Sequence, residues 1–348
     1  MRIAIIGAGL VGRILAWRLN EHFVSNNQGL SISLIEQNER HFGGTGLIAA
    51  AMVAPYTEAV STEASTQTLG KKSYALWQQW LPELEAQTKQ SIGFNQKGSL
   101  VLSHTQDMPD FERFQIKAQA VVAADNYEML DRASLTSLEP EIAKQFTSAM
   151  YFKQEGVIDN QALYPALNAY FAQSKNITWL ENTVINNIGI NGNIAGITET
   201  FNHVFDCRGN GAKADLKDFR SVRGEVARVY APEVNISRAV RLIHPRYPLY
   251  IAPRKNHEYV IGATQVESDD DSPVTVRSGL ELLSALYSLH SGFSEANILQ
   301  LQTGLRPTFS DNQPRIETNN KLTRINGLYR HGYLFTPTLV NQLIKETF

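Results

Sequence analysis

The apolar pattern opens with a short β-rich run, Arg2-Ile3-Ala4-Ile5-Ile6, that stops at Gly7. Leu10, Val11, Ile14, Leu15 and Leu19 then recur at helical spacing, which predicts a helix directly behind the glycine. A polar stretch from Ser25 to Gly29 turns the chain into a second apolar run, Leu30 to Ile35. Strand, glycine turn, helix and strand form a βαβ unit, a crossover that is right-handed in nearly all proteins.

The pattern beyond this unit alternates. Gly43 to Gly46 reads as a loop, followed by the small apolar segment Leu47 to Ala54 and a polar helix marked by Trp77, Trp80, Leu81 and Leu84. Gly98 to Leu102 reads as a strand after a turn, and 128–150 has scattered helical character. A helix near 161–173 precedes strands at 177–180 and 203–207. The stretch 221–264 is strand-rich, with runs at Val222 to Val229, Tyr250 to Ala252 and Tyr259 to Ile261. A helix spaced by Leu280, Leu283, Leu286 and Leu289 leads into the final segment, 301–348. There is no internal repeat. The alternation predicts an α/β fold: a Rossmann-like dinucleotide domain from 1–85, 150–220 and 295–348, interleaved with a mostly antiparallel β substrate domain from 86–149 and 221–294.

Composition narrows the partners. Apolar residues at 43% and charged residues at 19% suit a globular protein with a full core, and a net charge of -2 offers no field for nucleic acid or an anionic membrane. The single cysteine, Cys207, excludes an intrachain disulfide framework and suits a reducing compartment. No apolar run approaches the roughly 18 residues of a membrane span. The first apolar stretch is broken by glycines and runs into an amphipathic helix, so it reads as structure, not as a signal peptide. The expectation is a cytoplasmic protein, and self-association as a homo-oligomer is left open.

The chemistry begins at Gly7-Ala8-Gly9-Leu10-Val11-Gly12, a G-x-G-x-x-G placed between a strand and a helix. The first glycine permits the tight turn, the second lets the backbone approach a pyrophosphate, and the third lets the helix pack on the strand. A helix N-terminus then offers free N–H groups to phosphate. Glu36, at the end of the second strand, stands where an acid accepts ribose hydroxyls, which argues against the 2′-phosphate of NADP. The βαβ unit does not separate NAD from FAD. Gly43-Gly44 is consistent with a second loop around the pyrophosphate and equally with a surface turn. None of the eight histidines forms an H-x-x-x-H pair, so metal catalysis is not expected.

Several later segments then line up with one family. Ala49 to Pro55, Asp206-Cys207-Arg208-Gly209, Tyr250 to Arg254 with Ile261 to Thr264, Gly304-Leu305-Arg306-Pro307 and Gly327 to Gly332 follow the glycine loop in order. Across almost its whole length the chain resembles the D-amino-acid oxidase family of FAD enzymes, and within it the glycine oxidases of thiamine biosynthesis. The resemblance implies a flavin site at Gly7, Ala8, Gly9, Leu10, Val11, Gly12, Glu36 and Gln37, continued by Thr45, Ala50, Ala51 and Met52. It extends this site to Val184, Cys207 and Gly209, and to Arg306, Arg330, His331, Gly332, Tyr333 and Leu334. Arg306 and Tyr250 are implied as anchors of a substrate carboxylate, with Arg330 an active-site arginine near the flavin edge. An arginine suits the first task because its planar fork binds a carboxylate through two parallel hydrogen bonds.

The chain departs from the family pattern at Leu328, where relatives have histidine, at Val340 in place of glycine, and at Arg208 in place of a small residue. The helix opening at Pro337 is expected to aim its N-terminus at the flavin. Cys207 is far from the position at which some relatives attach the cofactor, so non-covalent FAD is expected. The implied reaction is oxidative deamination of glycine or another small amino acid, by hydride transfer from Cα to flavin N5. O2 is the implied acceptor, giving imine or 2-oxo acid, ammonia and H2O2, with the imine supplied to thiazole formation. A D-amino-acid or sarcosine oxidase or dehydrogenase would share these motifs. A non-enzymatic FAD-binding assembly protein would need only the glycine loop and Glu36.

Overall fold

The computed structural model describes residues 1–62, 64–243 and 249–348, so part of the expected strand-rich stretch 221–264 lies outside the described residues. The first strand, β1 (Arg2–Ile6), is apolar on both faces from Ile3 to Ile6 and buried there, as a central parallel strand must be. It pairs in parallel with β2 (Ser31–Ile35) on one side and with His203–Asp206 on the other. The six-stranded sheet runs Arg315–Asn319, Leu322–Asn326, His203–Asp206, β1, β2, Ile177–Leu180, and only its edge hairpin is antiparallel. The connecting helix α1 (Leu10–Ser25) buries Ile14, Leu15, Trp17 and Leu19, the apolar stripe read from the sequence.

After β2 the expected loop at Gly43 to Gly46 is instead the start of a one-turn helix, Gly44–Ile48, and the chain then forms the short helix α2 (Pro55–Ala59) and the long helix α3 (Ala64–Thr88). The second sheet has nine strands, with the long β3 (Phe219–Tyr230) next to one edge. β3 pairs along its length with β4 (Asn297–Phe309), and on its other side with Glu258–Gly262, which pairs in turn with Leu249–Pro253. The expected dinucleotide segment 295–348 is therefore divided between the two sheets: β4 extends the antiparallel sheet, and the chain rejoins the six-stranded one at the edge hairpin Arg315–Asn319 and Leu322–Asn326. Leu282, Leu286 and Leu289 of the helix Val276–Leu289 cover the nine-stranded sheet, together with Leu135 and Ile142.

Two regions differ from the sequence pattern. Residues 128–150 hold the helices Arg132–Leu138 and Pro140–Ala143 between two strands, Tyr127–Leu130 and Ala149–Phe152, so the scattered helical signal averaged over four short elements. The helix Met108–Val121 was not anticipated, because it buries only Phe111, Phe114 and Ala118.

The last helix, α4 (Gly332–Thr347), opens at Gly332 and not at Pro337, which lies inside it. A proline there leaves the carbonyl of Tyr333 without its helical donor. Trp77 of α3 supplies the missing donor, its Nε1–H reaching Tyr333 O at 2.8 Å, and Ser73 Oγ lies 3.2 Å from the N–H of Thr338. The proline is tolerated because tertiary packing replaces the bonds that it removes. Val340, the departure from glycine, is fully buried in the core against α1 and lines no cavity.

Candidate active site

The glycine turn has the geometry its sequence demands. Gly7 has φ +96°, and a side chain at Gly12 would begin 1.9 Å from the carbonyl oxygen of Gly7. At Gly9 a Cβ would meet nothing within 4 Å, so the backbone stands open on that side. Glu36 is nearly buried and accepts the N–H of Ala8 at 2.7 Å and that of Asn38 at 3.1 Å. Arg13, fully buried, stiffens the turn from behind by donating to Ala8 O at 2.6 Å and to Arg40 O at 2.8 Å.

From this turn a cavity of about 640 Å³ runs to the nine-stranded sheet. It is lined near its start by Gly7, Gly9, Leu10, Val11, Glu36, Gln37 and Thr45, and then by Ala50, Ala51, Met52, Cys207 and Gly209. Tyr250, Arg306, Arg330, His331, Gly332, Tyr333 and Leu334 line its far end. Ala8 and Gly12 act from behind the lining through the contacts above. Val184 does not belong to this set: it is 60% exposed and outside the lining, because the chain beyond Ile177–Leu180 turns its side chain to solvent. Arg208, although it lines the cavity, is folded onto Asp206 and Asp215 at 2.8 and 2.5 Å, so it presents no free cation. Leu328, where relatives carry histidine, is a buried apolar part of the wall.

The sheet end of the cavity is shaped by missing side chains. Gly224 of β3 faces Gly304 of β4 in register, and Val226, Gly262 and Tyr250 form the neighbouring row. The Arg306 guanidinium lies over Gly224, where a Cβ would sit 2.2 Å from Nη2. Its strand is fixed to the dinucleotide side by Leu305 O, which accepts from Thr45 Oγ1 at 2.9 Å and from Asn210 Nδ2 at 2.8 Å. Arg306 itself donates to the carbonyls of Thr264 at 3.1 Å and Arg223 at 3.4 Å. Among the described residues no carboxylate forms an ion pair with it. Burial pulls this guanidinium down to about 10, with Tyr329 opposing and Arg330 adding to the effect.

Arg330 is in the opposite situation. Its Nη2 donates to Glu58 Oε2 at 2.8 Å and to the Tyr250 hydroxyl at 2.6 Å, and the Tyr250 hydroxyl donates to Glu58 Oε1 at 2.5 Å. His331 Nε2 lies 2.9 Å from Glu58 Oε2, and Arg241 Nη1 lies 3.8 Å from Oε1. Burial alone would raise the Glu58 carboxyl, but Arg330, the His331 hydrogen bond and Arg241 outweigh it and hold the group well below the usual carboxylate range. Burial likewise pushes the Tyr250 phenol up to about 12, with Arg241 and Arg330 opposing. Burial lowers the His331 imidazole against the pull of Glu58, whose Oε2 faces its Nε2.

Glu58 has no motif of its own and the sequence reading missed it. Its one signal is position: an acid three residues beyond Pro55, where the small-residue segment from Ala49 ends. Thr336, also missed, is fully buried in the second turn of α4, lines the cavity, and leaves its hydroxyl without a partner. The open backbone at Gly9, the acid Glu36, and this orphan hydroxyl beside an uncapped helix start together fit a flavin dinucleotide. Phosphate would lie at the glycine turn, ribose at Glu36, and the ring toward α4 and Arg306. Among the described residues no cluster is placed to hold a metal ion, and no helix is long and apolar enough to cross a membrane.

Residues 2–340 match the family of FAD dependent oxidoreductases known as DAO. A Rhizobium etli protein named as a thiamine biosynthesis oxidoreductase, ThiO, is 33% identical over 346 residues, covering 99% of this chain and 96% of that protein. The crystal structure of glycine oxidase from Geobacillus kaustophilus, 25% identical, has a TM-score of 0.84 and covers 99% of this chain and 94% of its own. A bifunctional protein ThiO/ThiG of Nostoc sp. is 24% identical over 99% of this chain, which spans 52% of that protein. A glycine turn built for a dinucleotide, a cavity leading to an unpaired arginine, and a match along nearly the whole chain converge on one conclusion: this protein belongs to the DAO family and is an FAD-dependent oxidoreductase of the glycine oxidase and ThiO type.

Proposed function

We propose that the protein oxidises glycine or a similarly small α-amino acid at Cα, producing an imine that feeds thiazole formation for thiamine. The observation that carries this reading is Arg306, a cation at the cavity wall that contacts backbone carbonyls and no acid. Such a group calls for an anion, and its planar fork suits a carboxylate held by two parallel hydrogen bonds. Arg330 and Tyr250 flank the same pocket, already oriented by Glu58. When bound at the cavity from Gly7–Gly12 to Arg306, FAD would supply the two-electron acceptor for the Cα hydride, with O2 as the terminal oxidant reduced to H2O2. The chain's own residues orient Cα, exclude water and neutralise the carboxylate; the ammonium gives up one proton to solvent before the chemical step, and the Cα hydrogen leaves as hydride, so no side chain has to remove it as a proton. The imine, once released to water, hydrolyses to the 2-oxo acid and ammonia.

Cofactor attachment is non-covalent in this reading. The Cys207 thiol is buried and its pKa is raised well above the ordinary range, first by burial and then by Asp206, which leaves it a poor nucleophile. The purified protein should be yellow and should bleach anaerobically on addition of glycine, with peroxide formed when air is admitted. A yellow protein that no small amino acid bleaches would exclude this function while leaving the flavin assignment intact. A peroxide-coupled screen of glycine, sarcosine and D-amino acids ranks the substrates.

A further inference from the structure

We infer that Glu58 is the residue that lets this site accept a substrate bearing an ammonium group, in preference to a hydroxy acid or a plain carboxylate. The inference rests on the amino-acid reading above and goes beyond it by naming the origin of selectivity. Among the described residues, three guanidinium groups gather at the sheet end of the cavity. Arg306 and Arg330 line it, and Arg241 lies behind Glu58 at 3.8 Å. A pocket with three cations and no anion would attract any carboxylate and repel an ammonium. Glu58 supplies the anion. Its carboxylate is held ionised between Arg330 Nη2 at 2.8 Å and His331 Nε2 at 2.9 Å, and it lines the cavity beside Tyr250.

Two other carboxylates line the same cavity, but neither can take this part. Glu36 is committed to the glycine turn through Ala8, and Asp271 is exposed on the loop before the helix Val276–Leu289. A glycine zwitterion whose carboxylate meets Arg306 therefore finds one negative group at this end to offset the remaining cations. A hydroxy acid of the same shape offers Glu58 only a neutral O–H donor in place of a positive charge, while its carboxylate still meets the repulsion of Glu58. Selectivity of this kind is a difference of two affinities, set as much by what is repelled as by what is attracted. A second role is visible in the same bonds. Arg330 donates to the phenol oxygen of Tyr250, so the single hydroxyl proton of Tyr250 points to Glu58. Glu58 thus also clamps two anchor residues, and the experiment has to separate clamping from selection.

The test compares glycine with glycolate, which exchanges the ammonium for a hydroxyl at nearly constant shape, on FAD-loaded wild type, Glu58→Gln and Glu58→Asp. The Kd of glycine is read from the concentration dependence of anaerobic bleaching, and that of glycolate from the shift of the flavin absorption band. Glu58→Gln keeps the size of the side chain and removes the charge. It should weaken glycine about tenfold or more while leaving glycolate unchanged or tighter, a change of opposite sign that loss of clamping cannot produce. Glu58→Asp keeps the charge one methylene back, so both ligands weaken and their ratio stays within about threefold of wild type. Both Kd values rising by the same factor in Glu58→Gln would make the residue a clamp alone and overturn the inference. If Glu58→Gln does not retain FAD, a collapse of the ratio in Glu58→Asp overturns it instead. A wild type that glycolate perturbs but glycine never bleaches overturns the amino-acid reading, an outcome distinct from either of these.

Discussion

The two ends of the cavity are built by different means. At the phosphate end one continuous stretch, Gly7 to Gly12, does its work with backbone: a left-handed glycine, an open Cα at Gly9, and N–H groups at the start of α1. At the substrate end the groups are charged side chains drawn together from remote positions; Tyr250 is 192 residues from Glu58 and Arg330 is 272. Local backbone geometry is cheap to specify, because a few glycines in the right order suffice. A charged cluster is costly to bury, so every member needs a partner. The partners are visible for Glu58, Arg330 and His331, whereas Arg306, which forms no ion pair among the described residues, is left for the substrate.

If this division holds, the two ends should fail separately. Removing the unpaired cation is the strongest test. Arg306→Ala should lower kcat/KM for glycine by about a thousandfold, the scale expected when one partner of a desolvated charge pair is lost. FAD content should be unchanged, because the contacts that shape the phosphate end, Gly7 to Gly12 with Glu36, do not involve Arg306. Steady-state kinetics beside the flavin spectrum reads both, and simultaneous loss of FAD would mean that the ends are not separable.

A second comparison lies within the short helix α2, which two buried carboxyl groups grip in opposite charge states. Glu58 is held ionised by cations. Glu155 has only neutral donors, accepting the N–H groups of Tyr56 at 2.9 Å and Thr57 at 2.7 Å and the Thr57 hydroxyl at 3.0 Å. Burial pushes its carboxyl from 4.5 up to about 7, although those donors and Ser99 pull the other way. The folded state therefore binds the proton more tightly than the unfolded chain does. Its contribution is fully present below about pH 4.5 and is lost as pH rises through about 7. Glu155→Gln, which cannot ionise, should gain on wild type by about 3 kcal/mol between pH 4.5 and pH 8. Urea unfolding at the two pH values measures the gap, and a gap that does not open would mean that Glu155 is ionised in the native protein.

The smallest effect is expected at the ribose position. Glu36→Gln keeps an acceptor for the Ala8 N–H but loses the charge, and should raise the Kd of FAD about tenfold, the worth of a charge-assisted hydrogen bond. The KM for glycine should not move. Fluorescence titration of the apoprotein with FAD gives the first value and initial rates at saturating FAD give the second.

Much of the fold was legible where pattern and geometry are both local. The run Ile3 to Ile6, the helical stripe from Leu10 to Leu19 and the strand at 203–207 appear with their expected types and neighbours. The signal faded where elements are short or weakly amphipathic, as in 128–150 and Met108–Val121. It misled at Pro337, because local propensity cannot see Trp77 and Ser73 arriving from another helix to satisfy the backbone. At Val184, beyond a strand of the same sheet, the side chain points to water, an orientation that the sequence pattern does not specify.

The sequence by itself determined the dinucleotide turn, since its requirements are the absence of side chains at three nearby positions and an acid after the next strand. Tertiary structure alone decided the charge state of the substrate end. Arg306 and Arg330 look alike in the sequence, each an arginine in a short motif. One is unpaired and the other is tied to Glu58 only because folding desolvates them side by side, and a buried charge is defined by the neighbours that folding brings to it.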